Sequence, residues 1–401
     1  MSTPPKDRVT EAGQALFIPL ADYVAPTVPA QALLRAVLGR VQALLARNDP
    51  KPFIADDRLK RTTMAMLDDV VAPPACGPLL TELQRTVAAW LQEEPKASHI
   101  KVVVLPPCDE NAIVQTWAEQ AGHQVIAPPD RDQLCCMPPL PVPDLAGSGP
   151  LVVPRLEQWF LRHRNGLRGV RNLLAALDGC GRPVVVGCNS WAWGFLGKAT
   201  DIDLILPDAV TFVAFDEMRL FHWFSQLATS EATGGVMFRR SSNGSDVLEI
   251  GQDGTPRDDY LRTLAGRSLG IPWVAWHMWR RSLRSGDDDA PLDDVKAVLA
   301  SSEEARPGAE TLWVTALDEY VLPDRQEQSA LLVLQALLIH GLHSAAQLRL
   351  VLPLVGDTNI MTVLVKSGFL ERRDGQFFVR AAAYPTIRAG LSSAGLPVDR
   401  M

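Results

Sequence analysis

Three consecutive polar residues, Cys188, Asn189 and Ser190, follow the apolar run at 183–186 in the middle of the chain. In open α/β sheets, ligands bind just beyond the carboxyl ends of the strands, so these side chains are placed where chemistry is expected. Cys188 or Ser190 could serve as a nucleophile. The surrounding letters GCNSWAWG do not match the G-x-S-x-G nucleophile elbow, and no histidine is tied to them by spacing. A nucleophilic enzyme is therefore the third alternative.

A second group of polar side chains follows the apolar run at 101–105. The chain continues there as LPPCDENAIV, so Cys108, Asp109 and Glu110 lie between two prolines and the start of a helical pattern. Asp109 is a suitable helix N-cap, because its carboxylate can accept the free backbone N–H groups of the first turn. The two carboxylates also bring negative charge to a helix start, where an anion would otherwise bind.

A third group consists of Arg164, Arg168 and Arg171, at spacings of four and three. That spacing places them on one face of a helix predicted to run on from the apolar run at 151–153. Such a face could bind an anionic partner, namely nucleic acid, a phosphorylated ligand or an acidic protein. Because the chain carries a net charge of -7, a solvated face paired with carboxylates is the favoured interpretation.

Composition limits the remaining classes. The six cysteines, with Cys135 and Cys136 adjacent, form no disulfide framework, and the seven histidines show no metal-ligand spacing, so no metal site is expected. The apolar runs are too short to span a bilayer, and the N-terminal letters MSTPPKDRVTEAG lack the apolar core of a secretion signal. These features predict a cytoplasmic protein without a membrane span.

The elements that must position these residues follow an alternating pattern. Short apolar runs at 101–105, 122–126, 151–153, 183–186 and 211–215 alternate with helix-length segments. This alternation predicts an α/β fold with a five-stranded parallel sheet and crossover helices. The proline-rich stretch after the second run is predicted to be a long surface loop.

The flanking regions are predicted to be helical. Amphipathic patterns cover residues 30–94, including DRLKRTTMAMLDDVV, and a helix pair broken at Gly270 and Pro272 precedes an acidic linker. The last part is predicted to form three helices and then a hairpin around Asp374 and Gly375, the order of a winged helix. The predicted domains are 1–97 (helical), 98–228 (α/β), 229–323 (helical lid and linker) and 324–401 (winged helix).

Residues 100–394 together resemble a P-loop NTPase module of the AAA+/STAND type, with a parallel sheet, a helical lid and a winged helix. LVVPRLEQWFLRHRNGLRGVRNLL resembles a Walker B strand and its following helix, and PVVVGCNSWAW resembles a sensor-1 strand with a polar tip. LAGRSLGIPWVAWHMW resembles the lid motif. The resemblance gives Asn189 the sensor-1 role, a polar group directed at a terminal phosphate or water.

The catalytic motifs of that family are altered in this chain. A Walker A loop would read G-x-x-x-x-G-K-[ST] after 101–105, but LPPCDENAIV has no glycine and no lysine. The Walker B acid position is Pro154, and Glu157, one turn further, is the only substitute. The resemblance thus implies a vestigial nucleotide pocket, with ATP not expected as a cofactor. Its residues are Cys108, Asp109, Glu110, Glu157 and Asn189.

The leading hypothesis is a non-catalytic AAA+/STAND-like regulatory or adaptor protein that acts through a protein partner. A DNA-binding regulator using the winged helix is the second hypothesis, although the third helix opens at Asp357 and offers one basic residue, Lys366. An ATPase with an atypical nucleotide site is a further alternative. The sequence leaves the oligomeric state open.

Overall fold

The computed structural model describes residues 17–29, 59–61, 77–94, 97–135, 141–200, 202, 205–228, 236–286, 311–323, 327–355 and 358–401. Within these ranges the protein is a mixed α/β structure with a parallel sheet and many helices. None of the helices in these ranges combines the length and the apolar character needed to span a bilayer.

In chain order, the described strands are β1 (Phe17–Pro19), β2 (Leu59–Arg61), β3 (Ile100–Leu105), β4 (Gln124–Val125), β5 (Leu151–Val153), β6 (Val184–Asn189), β7 (Val210–Phe212), β8 (Met237–Arg240), β9 (Leu283–Gly286), β10 (Thr311–Val314), β11 (His343–Ser344), β12 (Leu370–Arg373) and β13 (Gln376–Val379). The α-helices are α1 (Gly77–Leu91), α2 (Ile113–Gln120), α3 (Arg168–Asp178), α4 (Ser190–Ala199), α5 (Glu217–Ala228), α6 (Tyr260–Arg267), α7 (Pro272–Ser282), α8 (Glu327–His340), α9 (Ala345–Val351), α10 (Ile360–Lys366) and α11 (Tyr384–Ser393).

The main sheet has the strand order β1-β7-β3-β6-β5-β4. Five of its strands, from β7 to β4, are mutually parallel, so the parallel sheet predicted from the alternating apolar runs is confirmed. The central strand β6 is buried along its whole length, as expected for a strand covered on both faces. The sixth strand, β1, was not predicted, and it pairs antiparallel with β7 at the sheet edge.

The strand order creates a crevice at the carboxyl ends of β3 and β6. After β3 the chain continues to β4, which lies at one edge of the sheet. After β6 it continues in the opposite direction to β7, on the other side of β3. Such a reversal marks the point where open α/β sheets bind ligands. The register places Leu105 opposite Asn189 at this end, so the loop after β3 and the polar residues after β6 face one another.

The segment predicted as one long helix from 155 onward is a shorter helix, and that prediction was wrong. Only α3 is α-helical, and it is preceded by a 3-10 turn at Leu156–Gln158 and a bend in which the Leu161 N–H donates to the Gly166 carbonyl at 3.1 Å. Gly166 allows this bend, because a Cβ there would lie 2.4 Å from the Leu161 carbonyl oxygen. Arg164 therefore does not share a helical face with the two following arginines.

The N-terminal region also differs from its prediction. Leu59–Arg61, predicted as helix, is the edge strand β2 of a second sheet with the order β2-β9-β10-β8. Pairing with β9 satisfies the backbone groups of these residues, so a tertiary contact overrides the local helical pattern. The predicted helix over 77–94 is present as α1, whereas the pattern at 30–58 and the acidic linker lie outside the described residues.

The C-terminal elements are three helices, α8 to α10, followed by the β12–β13 hairpin and α11. Ser344 begins α9 with a capping box, in which Gln347 donates its backbone N–H to the Ser344 hydroxyl at 3.2 Å. Asp374 and Gly375 have positive φ angles of 49° and 76°, as the two-residue hairpin turn requires. The predicted helix cap Asp357 lies outside the described residues.

Candidate functional site

A cavity of about 200 Å³ lies at the carboxyl ends of β3, β5 and β6. The C-terminal hairpin closes it from the other side. Gly341 and Leu342, between α8 and β11, also line it. The cavity is therefore bounded by the α/β sheet and by the C-terminal unit together. All five residues of the predicted pocket line it, namely Cys108, Asp109, Glu110, Glu157 and Asn189.

Asp109 occupies the start of α2 with its own carboxylate. One carboxylate oxygen, Oδ2, accepts the Ile113 N–H at 2.8 Å, and the other, Oδ1, accepts the Asn111 N–H at 3.0 Å. Burial raises the pKa of Asp109, and the backbone N–H groups and Arg155 oppose that rise. The backbone donors that a P-loop would offer to phosphate are thus engaged by a side chain of the loop itself.

The backbone of this loop is held by contacts from other elements. Trp273 of α7 donates its indole N–H to the Pro107 carbonyl at 2.9 Å, and Arg155 donates to the Asp109 carbonyl at 3.1 Å. Cys108 and Ala112 adopt positive φ angles of 65° and 45°, conformations that L-residues rarely adopt. These contacts hold the loop in an unfavourable conformation, which fixes the shape of the cavity wall.

Glu110 joins the loop to two other elements at the mouth of the cavity. Its carboxylate lies 3.5 Å from Arg373 of the hairpin and 3.7 Å from His277 of α7. Arg373 is also paired with Glu371, at 2.6 Å. The ion pair between Glu110 and Arg373 is partly exposed, so it orients the hairpin over the mouth rather than contributing much stability.

Glu157 is buried at the cavity wall. Its Oε2 accepts the Asn189 backbone N–H at 3.2 Å, and its Oε1 lies 3.9 Å from Arg155. Burial raises the pKa of Glu157, while Arg155 and the backbone hydrogen bonds lower it. The Glu157 carboxylate therefore links the turn after β5 to β6, and it lies next to the Arg155 guanidinium.

Asn189 makes two structural hydrogen bonds with its side chain. Its Oδ1 accepts the Ala192 N–H at 2.7 Å, which caps α4, and its Nδ2 donates to the Ile339 carbonyl of α8 at 3.2 Å. The amide thus connects the tip of β6 to the C-terminal unit. These two bonds fix the orientation of the amide and leave one N–H of Nδ2 for a further acceptor.

Cys188 and Ser190 do not have the surroundings of nucleophiles. Burial raises the pKa of the Cys188 thiol well above its usual value, and the neighbouring Glu157 adds to that effect, so the thiolate is disfavoured. Ser190 is buried and donates its hydroxyl proton to the Asp399 carboxylate at 2.5 Å. Tyr384 and Arg388 donate to the same carboxylate, which makes this group a structural link to α11.

A buried arginine joins the cavity region to the C-terminal unit, and it lies in the stretch predicted to be a surface loop. The Arg131 guanidinium donates to three backbone carbonyls, those of Leu342, His340 (2.5 Å) and Glu157 (3.3 Å). Burial lowers the pKa of Arg131 to about 10, so it remains charged at neutral pH. No sequence signal marked this residue.

Two fully buried histidines lie beside that arginine. The rings of His340 and His343 are 4.6 Å apart, and burial lowers the pKa of both, to about 3 for His343. A hydrogen bond with the Gln347 side chain opposes this lowering of the His343 pKa in part. The position of His340 at the end of an otherwise apolar helix pattern was the one signal that could have indicated a buried histidine.

The arginines proposed as an anion-binding face do not come together as predicted. Arg164 is exposed in the bend before α3, while Arg168 and Arg171 are on α3 itself. Arg171 donates to the Ala199 carbonyl at the end of α4, at 3.0 Å. The three residues therefore do not form one continuous cationic face.

The cavity is small, and the Asp109 carboxylate already occupies the helix start beside it. Pockets for drug-sized ligands usually have volumes of about 300–1,000 Å³, and this one is smaller. The N–H groups of Asn111 and Ile113, just before and at the start of α2, are already bonded to Asp109. Among the described residues, no three histidine, cysteine or carboxylate side chains are arranged to hold a metal ion. No step through a bound nucleotide follows from these residues.

Comparisons with known proteins give little further guidance. No protein-family model matches the chain, and no curated protein is significantly similar to it. Among solved structures, the chain is similar to the ORC2 protein of Aeropyrum pernix in ADPNP and ADP complexes, over 95% of this chain and 99% of that one. The identity is 11% and the TM-score is 0.25. That score is too low for the similarity to support a conclusion about fold or function.

Proposed function

We propose that the protein is a non-catalytic regulatory or adaptor protein of the AAA+/STAND type, acting through a protein partner. The main support is that the Asp109 carboxylate occupies the start of α2, where a bound anion would otherwise lie. An anion brought to this place would meet a carboxylate instead of free N–H donors. The loop could release them only by breaking these hydrogen bonds.

Two further features support the loss of nucleotide chemistry. Glu157 pairs with Arg155 at the place where a metal-binding acid would be needed. Asn189 is engaged as the cap of α4 and as a donor to α8. Both polar groups thus have partners within the protein, and those partners hold elements of the fold together.

The proposal includes a winged-helix domain at residues 324–401. Its three helices and hairpin support this assignment, and the hairpin packs toward the α/β cavity through Arg373 and Glu110. On the predicted reading helix α10, the exposed positions include a single cation, Lys366. A helix with one cation is poorly equipped for the phosphate contacts that dominate DNA affinity, so a protein contact is the better use of this unit.

Calorimetric titration of the full chain with ATP and ADP, each with Mg²⁺, tests the proposal. The expected result is no heat of binding at micromolar to millimolar nucleotide and no phosphate release. Micromolar binding with turnover would overturn it in favour of the atypical ATPase. Titration with duplex DNA over a range of salt concentrations is the second measurement, and affinity that falls steeply with salt would favour the DNA-binding alternative.

A further inference from the structure

Charged side chains from three separate elements meet at the mouth of the cavity. Glu110 belongs to the loop after β3, His277 to α7, and Glu371 and Arg373 to β12 of the hairpin. Glu110 is shared between two of these elements, because its Oε1 lies 3.5 Å from Arg373 Nη2 and its Oε2 lies 3.7 Å from His277 Nε2. The loop, the helix and the hairpin therefore meet at one carboxylate.

These four residues and Arg280, the mouth cluster, have balanced charges when His277 is neutral. Arg280, on the same helix, and Arg373 supply two positive charges, and Glu110 and Glu371 supply two negative charges. Arg373 Nε already holds Glu371 Oε1 at 2.6 Å, so Glu110 is the partner that a protonated His277 would take. The proton would add a third positive charge to a partly enclosed group, in which the His277 side chain is 30% exposed. Such a charge is better accommodated when the group opens to water.

The other charged groups on and beside α7 have partners outside the mouth cluster. These pairs are Arg262 with Glu217, Arg267 with Glu319, and Arg281 with Asp318. The turn at 381–383 and strand β10, which also pack against α7, carry no ionisable side chains. Arg380, just before that turn, favours the ionised form of Glu371 and lowers its pKa. Within the mouth cluster, His277 is therefore the group whose charge can change near neutral pH.

The closed mouth disfavours the protonated form of His277. Burial lowers the pKa of His277, and Arg280 and Arg373 add to that effect, whereas Glu110 and Glu371 oppose it. In an open mouth the imidazole would return to water and to its ordinary pKa. The open arrangement thus binds a proton more readily than the closed one, so acid shifts the equilibrium toward the open arrangement.

We infer that protonation of His277 loosens the hairpin from the loop after β3, so that mild acid opens the mouth of the cavity. In the protonated state Glu110 pairs with the imidazolium of α7, and its contact with Arg373 of the hairpin is weakened. The bistable element is the hairpin, which either contacts the loop through this carboxylate or moves away from it. The inference goes beyond the proposed function, because it concerns the closure of the cavity and not the partner of the protein.

Cys108 provides the probe, because its partly buried side chain lines this cavity. The full chain would be treated with N-ethylmaleimide or with a bulky, neutral polyethylene-glycol maleimide, and mass spectrometry would give the rate at which each cysteine peptide is modified. The ratio of the bulky to the small reagent at Cys108 measures access to the cavity, because the thiolate fraction affects both rates equally. Cys180, which is partly buried but does not line the cavity, corrects for differences between the reagents.

We expect the corrected ratio at Cys108 to rise roughly threefold or more between about pH 7.5 and about pH 5.5. His277→Gln cannot gain the proton and should give the low ratio at both pH values. Glu110→Gln should give the high ratio at both, because Arg373 loses its partner in the loop. His222→Gln is the matched control, since His222 is exposed on α5 outside the mouth cluster, and it should respond as the wild type does.

Three outcomes would overturn the inference: a wild-type ratio that does not change with pH, a ratio that falls in acid, or an equal response in His277→Gln. A falling ratio would mean that the protonated histidine tightens the mouth. Thermal unfolding well above the labelling temperature, at both pH values, shows that each variant is folded during the measurement. Turnover of ATP would refute the non-catalytic role and leave the pH response intact, whereas a flat pH response with no nucleotide binding would refute this inference alone.

Discussion

The carboxylate of Asp109 accepts the backbone N–H of Ile113 at 2.8 Å, at the start of the helix that follows β3. In an open α/β sheet with a crevice at this position, those N–H groups are the natural donors for a bound anion. In this protein the Asp109 carboxylate takes the place of a bound anion. The consequence is a loop whose polar groups stabilise the fold rather than a ligand.

Removal of the Asp109 carboxylate should lower the stability of the protein without producing ATP hydrolysis. Asp109→Ala leaves the N–H groups of Asn111 and Ile113 without an acceptor, so we expect a loss of about 1–2 kcal/mol in urea unfolding. Asp109→Asn should retain most of the stability, because its amide oxygen can still accept. The control is Asp130→Ala, which removes an equivalent but exposed cap and should cost less. Equal stability of Asp109→Ala and the wild type would contradict this account of the loop.

Arg131 should be essential for the attachment of the C-terminal unit. Arg131→Met removes the donors from three carbonyls, including that of Leu342, and we expect a loss of roughly 3 kcal/mol or more. Arg131→Lys should be intermediate, because one ammonium group does not match the geometry of a guanidinium. Scanning calorimetry should show a separate low-temperature transition for Arg131→Met. A single transition at the wild-type temperature would refute this role.

Ser190 should contribute to the stability of the fold and should not act as a nucleophile. Ser190→Ala removes one of the donors to the buried Asp399 carboxylate, with an expected cost of about 1–3 kcal/mol in unfolding free energy. Asp399→Asn should cost as much or more, because its amide nitrogen would replace one acceptor oxygen and face either Arg388 or the hydroxyls of Ser190 and Tyr384. A fluorophosphonate probe should not label the wild type. Specific labelling that Ser190→Ala abolishes would restore the nucleophile hypothesis.

The buried histidines should make the protein sensitive to acid. The pKa of His343 is lowered to about 3 by burial, with a further contribution from Arg131, whereas an unfolded histidine titrates near its ordinary value. Between those values the unfolded chain binds a proton that the native protein does not, so stability falls as pH decreases. Each such histidine contributes a slope of about 1.4 kcal/mol per pH unit.

His343→Leu tests this contribution directly. The substitution should remove one proton from the pH dependence of unfolding below pH 6. At pH 7 its stability should lie within about 1.5 kcal/mol of the wild type, because it removes one hydrogen bond, that with Gln347. Urea unfolding from about pH 4.5 to 7.5 measures both quantities, since this range covers the unfolded titration. The buried carboxylates titrate in both proteins, so the difference isolates the histidine. Parallel curves for the two proteins would contradict the prediction.

The sequence alone determined the parallel sheet and the positions of its loops. Apolar runs such as 151–153 are short and rich in valine, and helix-length segments separate them, so the local pattern specifies strands joined by crossovers. The turn at Asp374 and Gly375 was equally clear, because few residues tolerate its backbone conformation. These features depend on near neighbours in the chain.

Tertiary structure decided the features that connect distant segments. Leu59–Arg61 became a strand because β9 offered it a partner, and the helix before Arg168 was replaced by a bend around Gly166. Arg131 and Asp399 are charged residues in irregular segments, where local pattern predicts exposure. Their burial depends on carbonyls and hydroxyls more than 200 positions away in the chain. Periodicity records which face of an element is apolar, but it does not record which distant polar group will compensate a buried charge.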